Sequence, residues 1–420
     1  MLDIKYIREN HELVLKNTEN KNESGKVDVL LSLDEKRRSI IGEVQTLKNT
    51  RNTVSKEIAS IKKNKGDASA QIQAMKEVSD NIKKFDEELR EVEEQIRDEQ
   101  LKLPNILHKS VPIGKSEDDN IEIKRWGELS TVKTKNHIEL AKELGIIDFE
   151  RAAKVSGSGF AYYIGKGAAL ERALINFMLE HQTSKNGYTE LMPPLIVNSG
   201  AMVGTGQLPK MVDDMYYVER DNFYLIPTAE VPITNFHSGE TLKGEDLPVK
   251  YCGYTPCFRR EAGSYGKETR GFLRVHQFNK VELVKFTKPE DSYNELELLL
   301  ADAESILQVL EIPYRVILLC SGDTSFASAK TYDIEVWSPG EQKWLEASSV
   351  SNFEDFQARR ANIRFKRTAK DKPEYVHTLN GSGLATSRLI VALLETYAQE
   401  DGTIKVPEAL RKFTGFDVID

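Results

Sequence analysis

Apolar residues recur at spacings of three and four along the N-terminal quarter of the chain. Leu30, Leu33, Ile40, Val44, Leu47, Val54, Ile58 and Ile61 follow this rhythm, with Arg37 and Arg51 filling two heptad positions. The pattern breaks at Asn64-Lys65-Gly66-Asp67. It restarts with Met75, Val78, Ile82, Phe85, Leu89, Val92 and Ile96 and runs to Leu103-Pro104. No proline interrupts either stretch. A heptad stripe with a single glycine-containing break predicts two long helices packed as an antiparallel coiled coil, with the turn at Gly66. At 1.5 Å per residue such a helix reaches roughly 55 Å, so it must project from the body of the protein.

The period then changes from helical to alternating. Residues 257–282 predict two strands joined by a loop over residues 262–269. In the second strand Leu273, Val275, Val281 and Leu283 share one parity, and Arg274, His276, Phe278, Lys280 and Glu282 share the other. Side chains two apart in a strand lie on one face. One face is thus apolar, and the other carries cations, rings and an acid. Arg259 and Glu261 share a face on the preceding strand. A solvated polar face is the plain alternative, but arginines, a flat ring and acids on one sheet surface suit a nucleotide.

Further elements complete the outline. Residues 168–184 and 290–310 predict helices. Residues 188–197, interrupted by Pro193-Pro194, and residues 223–231 predict strands. Residues 332–336 and 343–347 flank Ser338-Pro339-Gly340 as a hairpin, and Gly381-Ser382-Gly383 opens an apolar helix. Antiparallel strands with interspersed helices give an α+β fold, an antiparallel sheet core surrounded by helices. The expected division is 1–104 for an N-terminal domain bearing the arm, 105–158 for a connector and 159–420 for a catalytic domain. Neither a phosphate-loop motif nor a dinucleotide fingerprint is present.

Composition narrows the classes. The 420 residues, 40% hydrophobic and 30% charged, fit a globular protein with no apolar run long enough for a membrane span. Three cysteines point to a reducing, cytoplasmic setting. Cys252, Cys257 and His276 match no zinc spacing, so no zinc is expected. The net charge of −8 hides an uneven distribution: residues 36–65 hold nine bases and two acids, whereas residues 77–99 hold ten acids and four bases. Salt bridging between the helices explains part of this. A basic rod also suits an RNA backbone, which makes Lys36, Arg37, Lys48, Arg51, Lys62 and Lys63 candidate contacts.

Four clusters carry candidate chemistry: Thr228-Ala229-Glu230; Arg259-Arg260-Glu261 with Arg274, Phe278 and Glu282; Glu346-Ala347-Ser348-Ser349; and Asn380-Gly381-Ser382 with Arg388. The stretch Phe258 to Glu261, followed by Arg274-Val275-His276-Gln277-Phe278, resembles motif 2 of class II aminoacyl-tRNA synthetases. Residues 381–388 resemble motif 3, and residues 188–197 resemble motif 1 at the family's dimer interface. With the Thr228 triplet and the helical arm, the whole chain resembles the bacterial-type seryl-tRNA synthetases.

The resemblance implies serine contacts at Thr228, Ala229, Glu230, Arg259, Glu282, Asn380 and Ser382. It implies ATP contacts at Arg259, Arg260, Glu261, Arg274, Val275, Phe278, Glu346, Ala347, Ser348, Ser349 and Arg388. Arg259 and Arg388 become the candidate catalytic arginines, and Glu346 and Ser349 the Mg²⁺ ligands. Those two lie on opposite faces of a regular strand, so a bulge or strand end is expected between them. Arg260, where many members carry a small residue, is expected to point away from Arg259 and Glu261. A homodimer acting on tRNA(Ser), and also on tRNA(Sec), is implied with the same warrant. The competing reading, amino acid activation with transfer to a carrier protein, leaves the basic arm without a role.

Overall fold

The computed structural model describes residues 1–130, 133–262 and 271–420. Most of the predicted loop, residues 263–270, therefore lies outside the described residues. The chain divides into two compact units: Met1–Glu19 with Glu23–Pro104, and Asn20–Asn22 with Asn105–Asp420.

The first unit is built on two long helices, α1 (Val27–Lys63) and α2 (Ser69–Leu101). Leu30, Ile40 and Val44 of α1 and Ile82, Val92 and Ile96 of α2 are buried along the predicted stripe. Helix α1 ends in a Schellman closure: the Gly66 amide donates to the Ile61 carbonyl (2.9 Å) and the Lys65 amide to the Lys62 carbonyl (3.1 Å). The left-handed residue of this turn is Lys65, at φ +56°, and not the glycine. Near the start of α1 a fully buried Asp34 gathers three arginines, Arg37 (2.6 Å), Arg38 (3.2 Å) and Arg8 (3.4 Å).

The second unit is organised around an eight-stranded sheet. Its strands in chain order are β1 (Ile121–Trp126), β2 (Thr189–Glu190), β3 (Val249–Phe258), β4 (Gln277–Thr287), β5 (Tyr314–Leu318), β6 (Lys330–Ser338), β7 (Lys343–Asn352) and β8 (His377–Ala385). Across the sheet the order is β1-β5-β6-β7-β8-β4-β3-β2, antiparallel throughout except for the short β2–β3 pair. Helices α3 (Ser292–Val309) and α4 (Thr386–Thr396) pack against it, burying Leu296, Leu299, Leu389 and Leu393 in one core. Among the described residues no helix is long and apolar enough to cross a membrane.

Several elements differ from the expectation. Residues 105–158, expected as a connector, supply the edge strand β1, which pairs with β5. Every residue of β1 is exposed, so its short Ile121-Glu122-Ile123-Lys124 alternation marks no buried face. The strand expected over residues 223–231 stops at Leu225, and a short helix, Glu230–Thr234, follows. The predicted motif-2 strands are shorter than their alternation: β3 ends at Phe258 and β4 begins at Gln277. The polar face of β4 is not solvated either, because Lys280 and Glu282 are buried beneath neighbouring elements.

Gly381 and Gly383 were expected at a helix start but lie within the central strand β8. Close packing explains them. A Cβ on Gly381 would sit 3.1 Å from Val350, and one on Gly383 3.0 Å from Leu283. We predict that Gly383→Val lowers the unfolding free energy by about 1–3 kcal/mol through overpacking. A urea titration reads this directly, and an unchanged midpoint would refute the packing argument.

Candidate active site

The β4–β8 pairing places Glu282 directly opposite Ser382. Asn380 and Ser382 share one face of β8, while Gly381 turns toward Leu299 of α3 on the other. On β4, Phe278, Lys280 and Glu282 share a parity. A cavity of about 200 Å³ opens here, lined by Arg259, Glu261, Arg274, Val275, Phe278, Lys280, Glu346, Ala347, Ser382 and Arg388, with Phe272, Leu273 and Ser387.

One end of this region is cationic and aromatic. The Arg259 guanidinium lies 5.1 Å from the centre of the Phe278 ring, and its Nε donates to the Pro227 carbonyl at 3.3 Å. Arg274 pairs with Glu261 at 3.1 Å. Glu261 adopts φ +52°, so the chain leaves the strand geometry there. His276 donates through Nδ1 to the Arg259 carbonyl (3.0 Å), which makes it a backbone tie and not a reacting group. Arg260 turns to the Asp213 carbonyl (3.2 Å) and is absent from the cavity lining. Its expected nucleotide contact has no geometric support among the described residues.

The β6–β7 hairpin carries the expected bulge. The register runs Ile334↔Ser348 and then Glu335↔Glu346, leaving Ala347 as the extra residue. The bulge brings Glu346 and Ser349 to one side, where Ser349 Oγ lies 3.4 Å from Glu346 Oε1. Arg388 donates to the Glu346 carbonyl at 2.7 Å and pairs with its carboxylate at 3.2 Å. Ser349 also donates to Asp333, which stands opposite it on β6. Burial works to raise the Glu346 carboxyl, but the Arg388 and Arg259 charges prevail and hold it below the usual range. Burial, reinforced by the Glu346 charge, pushes Asp333 well above its ordinary value. The two acids are thus pushed in opposite directions, Asp333 up and Glu346 down. Ser348 instead donates to the Ser382 carbonyl (2.6 Å), a tie between strands.

The other end is a buried acid pair. Thr228 Oγ1 donates to Glu282 Oε2 at 2.8 Å, and Lys280 Nζ donates to Thr228 Oγ1 at 2.8 Å while pairing with the same Glu282 oxygen. The triplet sits on a turn, not on a strand face as expected. The Glu230 amide donates to Thr228 Oγ1 at 3.2 Å, and a side-chain acceptor of that kind favours a turn over a ladder. Ala229 is wholly buried in the core beneath it. Gln357 holds the Glu230 carboxylate at 2.6 Å and is itself held by Thr378 at 2.7 Å. Burial, with the Glu282 charge adding to it, pushes Glu230 up to about 7, against the Gln357 hydrogen bond and the Lys280 and Arg259 charges.

Asp333, Gln357 and the Lys280 bridge were not foreseen. Hairpin register counted from Ser338-Pro339-Gly340 could have found Asp333. Gln357 carries no local signal at all.

In the first unit the arm cations divide. Lys36 pairs with Glu88 (2.8 Å), Lys48 approaches Asp86 (3.8 Å) and Arg37 is taken by Asp34. Among the described residues Arg51, Lys56, Lys62 and Lys63, which lie closer to the turn, form no ion pair.

A class II tRNA synthetase core domain (G, H, P, S and T) matches residues 216–397, and the seryl-tRNA synthetase N-terminal domain matches residues 1–107. An antiparallel sheet bearing this arginine-lined cavity is thus a class II aminoacyl-tRNA synthetase core. The serine–tRNA ligases of Chlorobium phaeobacteroides and Chloroherpeton thalassium are 57% and 58% identical over 100% of this chain and 99% and 100% of their own. The crystal structure of seryl-tRNA synthetase from Pyrococcus horikoshii complexed with ATP matches with a TM-score of 0.95 at 42% identity, covering 100% of this chain and 99% of that one. The chain belongs to the seryl-tRNA synthetase family.

The raised Glu230 carboxyl has a stability consequence. Its folded value of about 7 exceeds the ordinary 4.5, so the folded state binds this proton more tightly than the unfolded one. Its contribution is full below pH 4.5 and is lost as pH rises to about 7. Compared with Glu230→Gln, the wild type should lose about 3 kcal/mol over that interval and little more above it. Urea midpoints measured against pH for both proteins check this. Parallel curves would exclude a raised Glu230.

Proposed function

We propose that the enzyme activates L-serine with ATP to seryl-adenylate and transfers the seryl group to tRNA(Ser). The observation that carries this reading is a cavity in which Arg259, Arg274, Arg388 and Glu346 meet Phe278, with Lys280 of its lining tied to the buried Thr228–Glu282 pair beside Glu230. The serine carboxylate attacks the α-phosphorus in line, the bond to the β-phosphate breaks, and pyrophosphate leaves. A ribose hydroxyl of the terminal tRNA adenosine then attacks the seryl carbonyl and AMP departs. The first step needs positioning and charge neutralisation, so no catalytic histidine is required.

In this reading Arg259 holds the serine carboxylate and the α-phosphate, and Arg274 and Arg388 hold the outer phosphates. Phe278 offers the ring face that Arg259 does not cover to adenine, with Val275 beside it and Glu261 on the adenine side. Glu230 and Thr228 take the serine ammonium. Glu282 and Ser382, with Asn380 nearby, take the hydroxyl. Serine is separated from alanine because buried partners would be left unpaired, which can reach roughly 10⁴.

Glu346 and Ser349 present hard oxygen donors side by side, with Glu346 ionised, a set that suits Mg²⁺. The chemistry a bound Mg²⁺ supplies there is neutralisation of phosphate charge.

The basic stretch of α1 takes the tRNA backbone, chiefly through Arg51, Lys62 and Lys63, since Lys36, Arg37 and Lys48 already have acidic partners. Charging of tRNA(Sec) with serine follows from the family resemblance alone. A homodimer is supported by large apolar side chains left exposed near β2, namely Met192 at 95% and Ile196 at 50%. The presence of the arm counts against transfer to a carrier protein.

The test is serine-dependent ATP–pyrophosphate exchange, with alanine, threonine and cysteine as controls, followed by charging of serine tRNA. Exchange with serine alone supports the assignment, and exchange with another amino acid overturns it. Replacing Arg51, Lys62 and Lys63 by Ala should leave exchange unchanged. It should also flatten the dependence of log affinity for tRNA on log salt by about two to three. Replacing Lys36 and Lys48 should have a smaller effect. Equal effects of the two sets would refute the division of the arm.

A further inference from the structure

Lys280 is a lysine buried to 5% exposure at the boundary between the aromatic and acidic ends of the cavity. Burying an ammonium is costly unless it is paired and hydrogen-bonded. Here it is both. Nζ donates to Thr228 Oγ1 at 2.8 Å and pairs with Glu282 Oε2, and Thr228 donates to that same carboxylate oxygen at 2.8 Å. Three polar groups thus close a triangle on a single oxygen of Glu282.

This geometry has two consequences. Both donors engage Oε2, so among the described residues Glu282 Oε1 is the oxygen without a protein partner. The carboxylate is pinned through Oε2 alone. The second consequence is one of charge. Glu282 is 1% exposed and Glu230 7% exposed, and the Glu282 charge disfavours ionisation of Glu230. Lys280 and Arg259 oppose that repulsion. Two cationic side chains therefore face two carboxyls in this subsite.

We propose that Lys280 is the positioning residue of the amino-acid subsite. By fixing Glu282 through Oε2 it presents Oε1 to the side-chain hydroxyl of the substrate, and it sets both serine affinity and the rejection of amino acids lacking that hydroxyl. The inference rests on the serine reading of the cavity given above. Without Lys280 only Thr228 would hold Oε2, and the carboxylate could rotate.

The test uses the full-length protein with Lys280→Met, which removes the charge at similar length, and Lys280→Arg, which keeps it. ATP–pyrophosphate exchange is measured with serine, alanine and ATP each varied, and thermal unfolding is recorded for both variants. For Lys280→Met the KM for serine should rise about 10- to 100-fold. The KM for ATP should stay within about twofold, and the alanine-to-serine ratio of kcat/KM should rise about tenfold. Lys280→Arg should recover part of the serine affinity. A general loss of structure would raise both KM values together, and that result would overturn the proposal, as would an unchanged serine KM. If Lys280→Met does not fold, Lys280→Arg decides: a serine KM raised severalfold with the ATP KM unchanged supports the positioning role, and a serine KM equal to that of the wild type, or a rise in the ATP KM, overturns it. Absence of serine-dependent exchange in the wild type is a separate result, and it would overturn the functional reading itself.

Discussion

The pairing of β4 with β8 is the contact on which the site depends. It can form at this spacing only because β8 carries glycines where Val350 and Leu283 press against it. The same pairing puts Glu282 across from Ser382, which lines the cavity. At the end of β8 the chain enters α4 at Thr386, so Arg388 stands in the first turn beside Glu346. One strand pair therefore places Ser382 and, through the helix that follows, Arg388 in the cavity lining.

Legibility followed the length and regularity of each pattern. The arm repeats its apolar stripe over nine turns and more, and both helices and their turn lie where the stripe and its break put them. The bulge between Glu346 and Ser349 was legible for a different reason. Two residues three apart in a strand cannot act together unless one is inserted, and Ala347 is that insertion. What failed was local. Thr228-Ala229-Glu230 looks like strand because β-branched and apolar residues surround it, but its own hydroxyl captures the backbone and turns the chain. The glycines of β8 look like a loop because glycine is common in loops, whereas here each marks a close approach that only the folded sheet creates. β1 alternates over only four residues, Ile121 to Lys124, and both of its faces are exposed.

The site residues divide in the same way. Residues within recognisable motifs could be located from the sequence, and the cavity gathers Arg259, Glu261, Arg274, Phe278, Glu346 and Arg388. Their partners could not. Asp333 is joined to the site by hairpin register, opposite Ser349, and Gln357, which holds Glu230, comes from a short helix 127 residues away in sequence. Lys280 was visible on the polar face, but its bond to Thr228 crosses 52 residues of chain.

The account places the substrate ammonium against Glu230, a carboxyl pushed up to about 7 by burial and by Glu282. A cation arriving there must drive that group to its ionised form. The most direct test is calorimetric titration with serine at pH 7 in buffers of different ionisation heat, which counts protons released. About half a proton should leave per serine bound in the wild type and close to none in Glu230→Gln. Equal release in the two proteins, or none in either, would contradict the placement of serine in this subsite.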